Sequence, residues 1–253
     1  MGRGVAAVYD VRAKGITLTR PPNKIKSYGY RKMNFPDGLF SPTWIWAGQG
    51  IYAVLLVFVV LGAPWRRLKD SEQLNVFLGV CVALMVLWTL RAGILPGLNF
   101  HLLGATLLTL MFGWRLALIG LAVVLAAVTL TGKSGLYAYG LNALLLTVVP
   151  VLASHAVQRL AIRWLPKHFF VYVFIHGFFN AGIAMACTGI VSSLGFLLGG
   201  VYSWDQLASD YLSIYLLMVF PEAILTGSAI SLMVVYRPAW VASFDDEQYI
   251  KNK

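Results

Sequence analysis

A glutamate, Glu222, lies within an apolar stretch, 211–236, that is long enough to cross a bilayer. An ionisable side chain at that depth costs about 2.5–3.5 kcal/mol on insertion scales, so chains that carry one turn it towards a bundle interior, a pathway or a binding site. The plain alternative is a protonated acid that only ties two helices together. The histidines are the other candidates for chemistry. His101 follows Asn99 and Phe100 at the head of an apolar run, and imidazole nitrogen suits Ni, Co, Cu or Zn. His176 and Asn180 are four residues apart in another run, a spacing that puts both on one helix face. Asn142 adds a polar group near the start of a third. His155, next to Ser154, reads as a packing residue and His168, next to Lys167, as a surface residue.

Several chemistries are excluded by what is missing. Gly132-Lys133-Ser134 has the ending of a phosphate-binding loop, but the pattern needs a glycine five residues before Gly132, and Ala127 stands there. The turn is therefore read as a polar connection, and the chain as one that does not hydrolyse ATP itself. No nucleophile stands at convincing spacing from a histidine and an acid, so an intramembrane enzyme using His176 and Glu222 ranks last among the readings. Cys81 and Cys187 both lie inside apolar runs and offer neither a disulfide framework nor a zinc spacing. Asp245-Asp246-Glu247 read as solvated charges.

The elements that must position these residues are membrane spans. Of the 253 residues, 59% are hydrophobic and only 12% charged, about half the charge of a soluble domain. Apolar runs cover 44–61, 74–90, 98–112, 116–130, 137–160, 169–200 and 211–236. The sixth is too long for one straight span and glycine-rich, so a break or an extracytoplasmic cap is expected there. Trp44, Trp46, Trp65, Trp114, Trp164, Trp204 and Trp240 fall near run ends, as an interfacial aromatic belt would. The expected fold is an all-α polytopic integral membrane protein of about seven transmembrane helices.

Charge sets the orientation. With the first span entering from outside, Arg66, Arg67, Lys69, Arg115, Arg159, Arg163, Lys167 and Arg237 all fall in cytoplasmic segments. Outside loops then receive only Arg91 and Lys133 with Asp205 and Asp210. Beyond residue 32 the basic residues are dispersed at span boundaries, which argues against nucleic acid as a partner. Residues 1–32 carry +7 and no apolar core, so they are neither a signal peptide nor easily translocated. They are expected to be a basic disordered extension upstream of a start at Met33, followed by a membrane domain over 33–240 and a polar cytoplasmic tail over 241–253.

The segment Met33-Asn34-Phe35-Pro36-Asp37-Gly38-Leu39 resembles the opening Met-His-Ile-Pro-Asp-Gly of the CbiM/NikM family, the substrate-binding membrane subunits of energy-coupling factor transporters for cobalt and nickel. Phe100-His101-Leu102-Leu103-Gly104, Gly140-Leu141-Asn142-Ala143 and Glu222 followed by Leu225-Thr226-Gly227 extend the resemblance over roughly 33–237. The likeness is greatest to a proteobacterial branch of this superfamily. It implies a transported divalent metal with no permanent cofactor, a multi-pass protein of the bacterial inner membrane, and separate scaffold and ATPase subunits as partners. It also implies metal ligation by the amine of Met33, by the second residue and by His101. Nitrogen donors in a tetragonal arrangement suit Ni(II). The second residue here is Asn34 rather than histidine, and its backbone nitrogen is the better donor. Asp37, Asn99, Asn142, His176, Asn180 and Glu222 are expected to form a second polar layer or a pathway deeper in the bundle. The competing reading keeps the fold without metal transport, as a membrane scaffold or assembly protein.

Overall fold

The computed structural model describes residues 35–90, 92–95 and 97–251. The basic extension, Met33, Asn34, Arg91 and Pro96 lie outside the described residues. Among the described residues, five helices are long and apolar enough to cross a membrane: α1 (Pro42–Leu61), α2 (Ser71–Thr89), α5 (Tyr139–Trp164), α6 (Phe169–Leu198) and α7 (Trp204–Tyr236). The shorter apolar helix α4 (Trp114–Leu130) is a sixth. The chain is an all-α, multi-pass membrane protein.

The third apolar run is not a helix over its length. It begins as a two-stranded antiparallel hairpin, β1 (Ala92–Leu95) with β2 (Leu98–Phe100), in which Gly93 faces Asn99. A short loop follows, and only Ala105–Phe112 is helical, as α3, about 12 Å long. Yet the unit runs beside α7 from end to end. Phe100 packs on Tyr211 and Tyr215, Leu103 and Gly104 meet Glu222, and the carbonyls of Leu110 and Met111 meet residues just past the end of α7. Hairpin, loop and half-helix together lie along α7 as one unit. Irregular backbone at membrane depth survives only where protein covers it, and α3 is packed between α4, α5, α6 and α7.

The sixth run, expected to break, is continuous. Its glycines are contact points rather than breaks: a Cβ on Gly177 would lie 3.3 Å from the Cα of Gly227, and one on Gly182 would lie 3.1 Å from Val219 Cγ1. Small residues let α6 and α7 approach closely, as membrane helix pairs without a hydrophobic drive require. Wide π-helical turns interrupt α5 at Leu144–Val148, α6 at Tyr172–Phe179 and α7 at Leu207–Leu212. The first ends beside Pro150, whose missing N–H already removes a ladder bond.

One end of the bundle gathers the basic residues. Arg67 and Gln73 donate to the Ala239 carbonyl, Arg115 to that of Gly62 at 2.6 Å, and Lys167 to Gln248 Oε1 at 2.7 Å. The tail is not a solvated strand at this end. Val241, Phe244 and Tyr249 are buried because the aromatic residues among the charges pack on Phe169 and Tyr172.

A side chain at Gly227 would drive into the Phe178 ring, whereas Gly50 meets nothing within 4 Å. Gly227→Val should therefore cost about 1–3 kcal/mol of stability. Thermal unfolding in detergent checks this, with Gly50→Ala expected to melt unchanged within a degree or two.

Candidate functional site

The residues singled out by sequence fall into three clusters: one at the end opposite the basic one, one on Glu222 about midway along α7, and one on α6 nearer the basic end. In the first, Asn142 holds the backbone of Phe35. Phe35 N–H donates to Asn142 Oδ1 at 2.8 Å, and Asn142 Nδ2 donates to the Phe35 carbonyl and to Ser134 Oγ, both at 3.2 Å. This is a side chain imitating a strand partner. Asp37 docks beside it, its carboxylate accepting from Leu136 N–H and Ala138 N–H at 3.0 Å each. The seat is the turn Gly132–Gly135. A Cβ on Gly135 would stand 2.6 Å from Asp37 Oδ1 and 2.7 Å from the Phe35 carbonyl oxygen, so only glycine lets the segment lie flat. The turn rejected as a phosphate loop is thus the cradle of the segment that leads from Met33 and Asn34.

The second cluster is built on Glu222. Its Oε2 accepts from Leu103 N–H at 2.7 Å and its Oε1 from Gly104 N–H at 2.8 Å. Glu222 is buried, and both carboxylate oxygens are aimed at the backbone immediately before α3. Gly104 is in the left-handed region at φ 63°, which turns the two successive N–H groups to the same acceptor. Charge-assisted bonds of this kind are about twice as strong as neutral ones, and the helix dipole of α3 adds to them.

This joint positions His101. The imidazole is buried, with Nδ1 3.1 Å from the Leu102 carbonyl and its ring 4.8 Å from that of Trp88. Trp88 in turn donates its indole N–H to the Leu103 carbonyl at 3.1 Å. In the tautomer that donates from Nδ1, Nε2 is the basic nitrogen, the arrangement in which histidines ligate metals. Trp88 was not singled out by sequence, because an apolar run hides an indole whose partner is a carbonyl.

Aromatic rings join the two clusters. Phe35 packs edge-on to Phe196 at 4.8 Å, Phe196 to Tyr211 at 5.7 Å, and Tyr211 on Phe100 at 5.4 Å, next to His101. The hairpin turn at Gly97 sits so close to Leu39 that a Cβ would be 2.8 Å from its Cδ2. Asp37, Asn142 and the backbone of Phe35 therefore adjoin the loop of His101 and Glu222. Asn99 lies on β2. His176 and Asn180, both buried, lie elsewhere, nearer the basic end. Of the remaining histidines, His168 caps α6 through Phe170 N–H, and His155 packs on Trp114.

A family model described as the cobalt uptake substrate-specific transmembrane region, CbiM, matches residues 34–240. The chain belongs to the CbiM family. It is similar to a probable fused nickel transport protein LarMN of Lactiplantibacillus plantarum, at 29% identity over 52% of this chain and 40% of that one. It is also similar to the cobalt transport protein CbiM of Clostridium tetani, at 25% identity over 50% of this chain and 53% of that one. The chain thus spans about half the length of the curated relatives it matches. Two crystal structures, of a truncated transition metal transporter and of a transition metal transporter, share the fold. They have TM-scores of 0.66 and 0.64 at 21% identity, covering 81% and 79% of this chain and 99% and 92% of those. The CbiM match ends at residue 240, so the buried segment from Val241 onward lies beyond it.

Removing the Glu222 carboxylate leaves two buried N–H groups without their acceptors, at about 1–3 kcal/mol each. Glu222→Ala should lower the melting point more than Glu222→Gln, which keeps one acceptor oxygen. Thermal unfolding of both variants checks the order.

Proposed function

We propose that this chain captures a transition metal ion of the cobalt or nickel type for uptake, as the substrate-binding subunit of an energy-coupling factor transporter. The observation that carries the reading is the buried His101, held by Leu102 and Trp88 on a loop that Glu222 anchors, beside the docked segment that leads from residues 33–34. In this reading the amine of Met33, the backbone nitrogen of Asn34 and the imidazole of His101 ligate the ion. Nitrogen donors of this kind favour Ni(II), Co(II) and their neighbours. The family match opening at residue 34 supports Met33 as the residue that carries the amine. Asp37 and Asn142 hold the amino-terminal segment, Asn99 lies beside it on β2, and Glu222 holds the histidine loop, each acting on the ligands rather than as one.

Energy is then supplied by partners: separate ATPase subunits and a transmembrane scaffold. The end bearing Arg67, Arg115, Lys167 and Arg237 is the cytoplasmic one in a bacterial inner membrane, with the site facing out. A second reading, in which the fold persists as a scaffold or assembly protein without metal transport, is favoured by one residue. Asn34 stands where the resemblance implies a histidine, and its side chain is a poorer ligand for these metals.

The test is metal retention by mass spectrometry after equilibration with Co, Ni, Cu and Zn, on protein that starts at Met33. Near-stoichiometric retention of one metal, lost in His101→Ala, is expected. Asn34→His, which adds an imidazole, is expected to tighten retention. No metal in the wild type would put the scaffold reading ahead, and equal metal content in wild type and His101→Ala would remove His101 as a ligand.

A further inference from the structure

Deep in the bundle, several buried polar atoms have no hydrogen-bond partner within the protein: His176 Nδ1, both amide atoms of Asn180, and Thr226 Oγ1. Asn180 and Thr226 have no exposed surface and His176 has 2%. Unmet groups of this kind cost about 1–3 kcal/mol apiece and call for an occupant. The residues lie on successive turns of two adjoining helices. Gly177 packs on Gly227, and a Cβ on Gly182 would lie 3.8 Å from that of Ala223, so the turns of α6 that carry His176 and Asn180 pack against those of α7 that carry Thr226 and Glu222. Helix α3 packs against both α6 and α7 and closes the third side. The set is mixed: Asn180 Nδ2 needs an acceptor, while Asn180 Oδ1 needs a donor. A bare cation would serve only the acceptors, whereas water serves both.

The carboxy-terminal segment sits directly over this cluster at the basic end. Ala242 N–H and Ser243 N–H donate to the Met111 and Leu110 carbonyls at 3.0 and 3.2 Å, at the last turn of α3. Tyr172 OH and Ser243 Oγ are 2.6 Å apart. Phe244 stacks on Tyr249 at 5.3 Å, Tyr249 packs edge-on to Tyr172 at 5.0 Å, and the Tyr172 ring stacks on His176, also at 5.0 Å. The rings form a layer whose inner face is the His176 imidazole.

We propose that His176, Asn180 and Thr226 line a water-holding chamber, and that residues 241–249 are the plug that seals it from the basic end of the bundle. The plug is tied to the carboxy-terminal end of α3, and the loop of His101 is tied to the other end. A shift of this one half-helix therefore links the outer site to the inner seal. The chamber and plug do not depend on which ion, if any, the outer site captures.

The test is thiol labelling of the purified full chain in detergent, in a Cys81→Ala/Cys187→Ala background, with a charged water-soluble maleimide. The charged reagent reaches only a thiolate open to bulk water, so Thr226→Cys is expected to stay protected behind the plug while the exposed Ser209→Cys reacts, and to label about tenfold faster or more once Phe244→Ala and Tyr249→Ala are added. Met185→Cys, fully buried on α6, should stay protected in both, which separates opening of the plug from loss of fold. Should that control label, the milder Tyr249→Leu decides in place of the double variant. Rapid labelling of Thr226→Cys with the plug intact, or no acceleration when the plug is disrupted, would overturn the proposal.

Discussion

Two backbone N–H groups, of Leu103 and Gly104, end on the carboxylate of Glu222 inside the bundle. Where bilayer surrounds the protein, polar backbone has no water to fall back on, so a chain that breaks its helix must supply partners from its own side chains. Glu222 does this for the backbone of Leu103 and Gly104. The acid lets residues 98–104 be strand and loop rather than helix, and on that loop the imidazole sits between a carbonyl and an indole. The cost of burying an ionisable group is offset by two charge-assisted bonds and the amino end of α3. Glu222 thus joins the two readings that its sequence position left open: it ties elements together, and what it ties is the loop of the candidate ligand.

The end opposite the basic one repeats the device with an amide and a second carboxylate. Asn142 satisfies the N–H and carbonyl of Phe35, and Asp37 takes the N–H groups of Leu136 and Ala138. In both places a side chain pairs with extended backbone, and a glycine, Gly104 or Gly135, permits the close approach. Between them lies the aromatic layer of Phe35, Phe196, Tyr211 and Phe100, which keeps water from the joints and fixes their spacing.

Much of this was legible in the sequence because membrane spans are written in hydropathy. The runs over 44–61, 74–90, 116–130, 137–160, 169–200 and 211–236 all appear as helices, the last beginning earlier, at Trp204. Hydropathy reports polarity and not backbone geometry, so the strand and loop inside 98–112 were invisible to it. The signal was there in Gly97, Gly104 and Gly113, all at positive φ. The glycines of the sixth run misled in the opposite sense, since Gly177 and Gly182 mark close helix packing rather than a break. Glu222, Asn142 and Asp37 stood out as polar residues, but their partners are backbone groups, which leave no mark in a sequence. Phe244 and Tyr249 were masked by the charges around them, so a packed segment read as a polar tail.

The central claim is that His101, held by the Glu222 joint, contributes its imidazole to a captured metal ion. X-ray absorption on protein starting at Met33 and loaded with Ni(II) or Co(II) tests it most directly. One imidazole shell with its nearest nitrogen at about 2 Å is expected in the wild type, and its loss in His101→Ala. A loaded metal whose spectrum has no imidazole contribution, or is unchanged in His101→Ala, would contradict it.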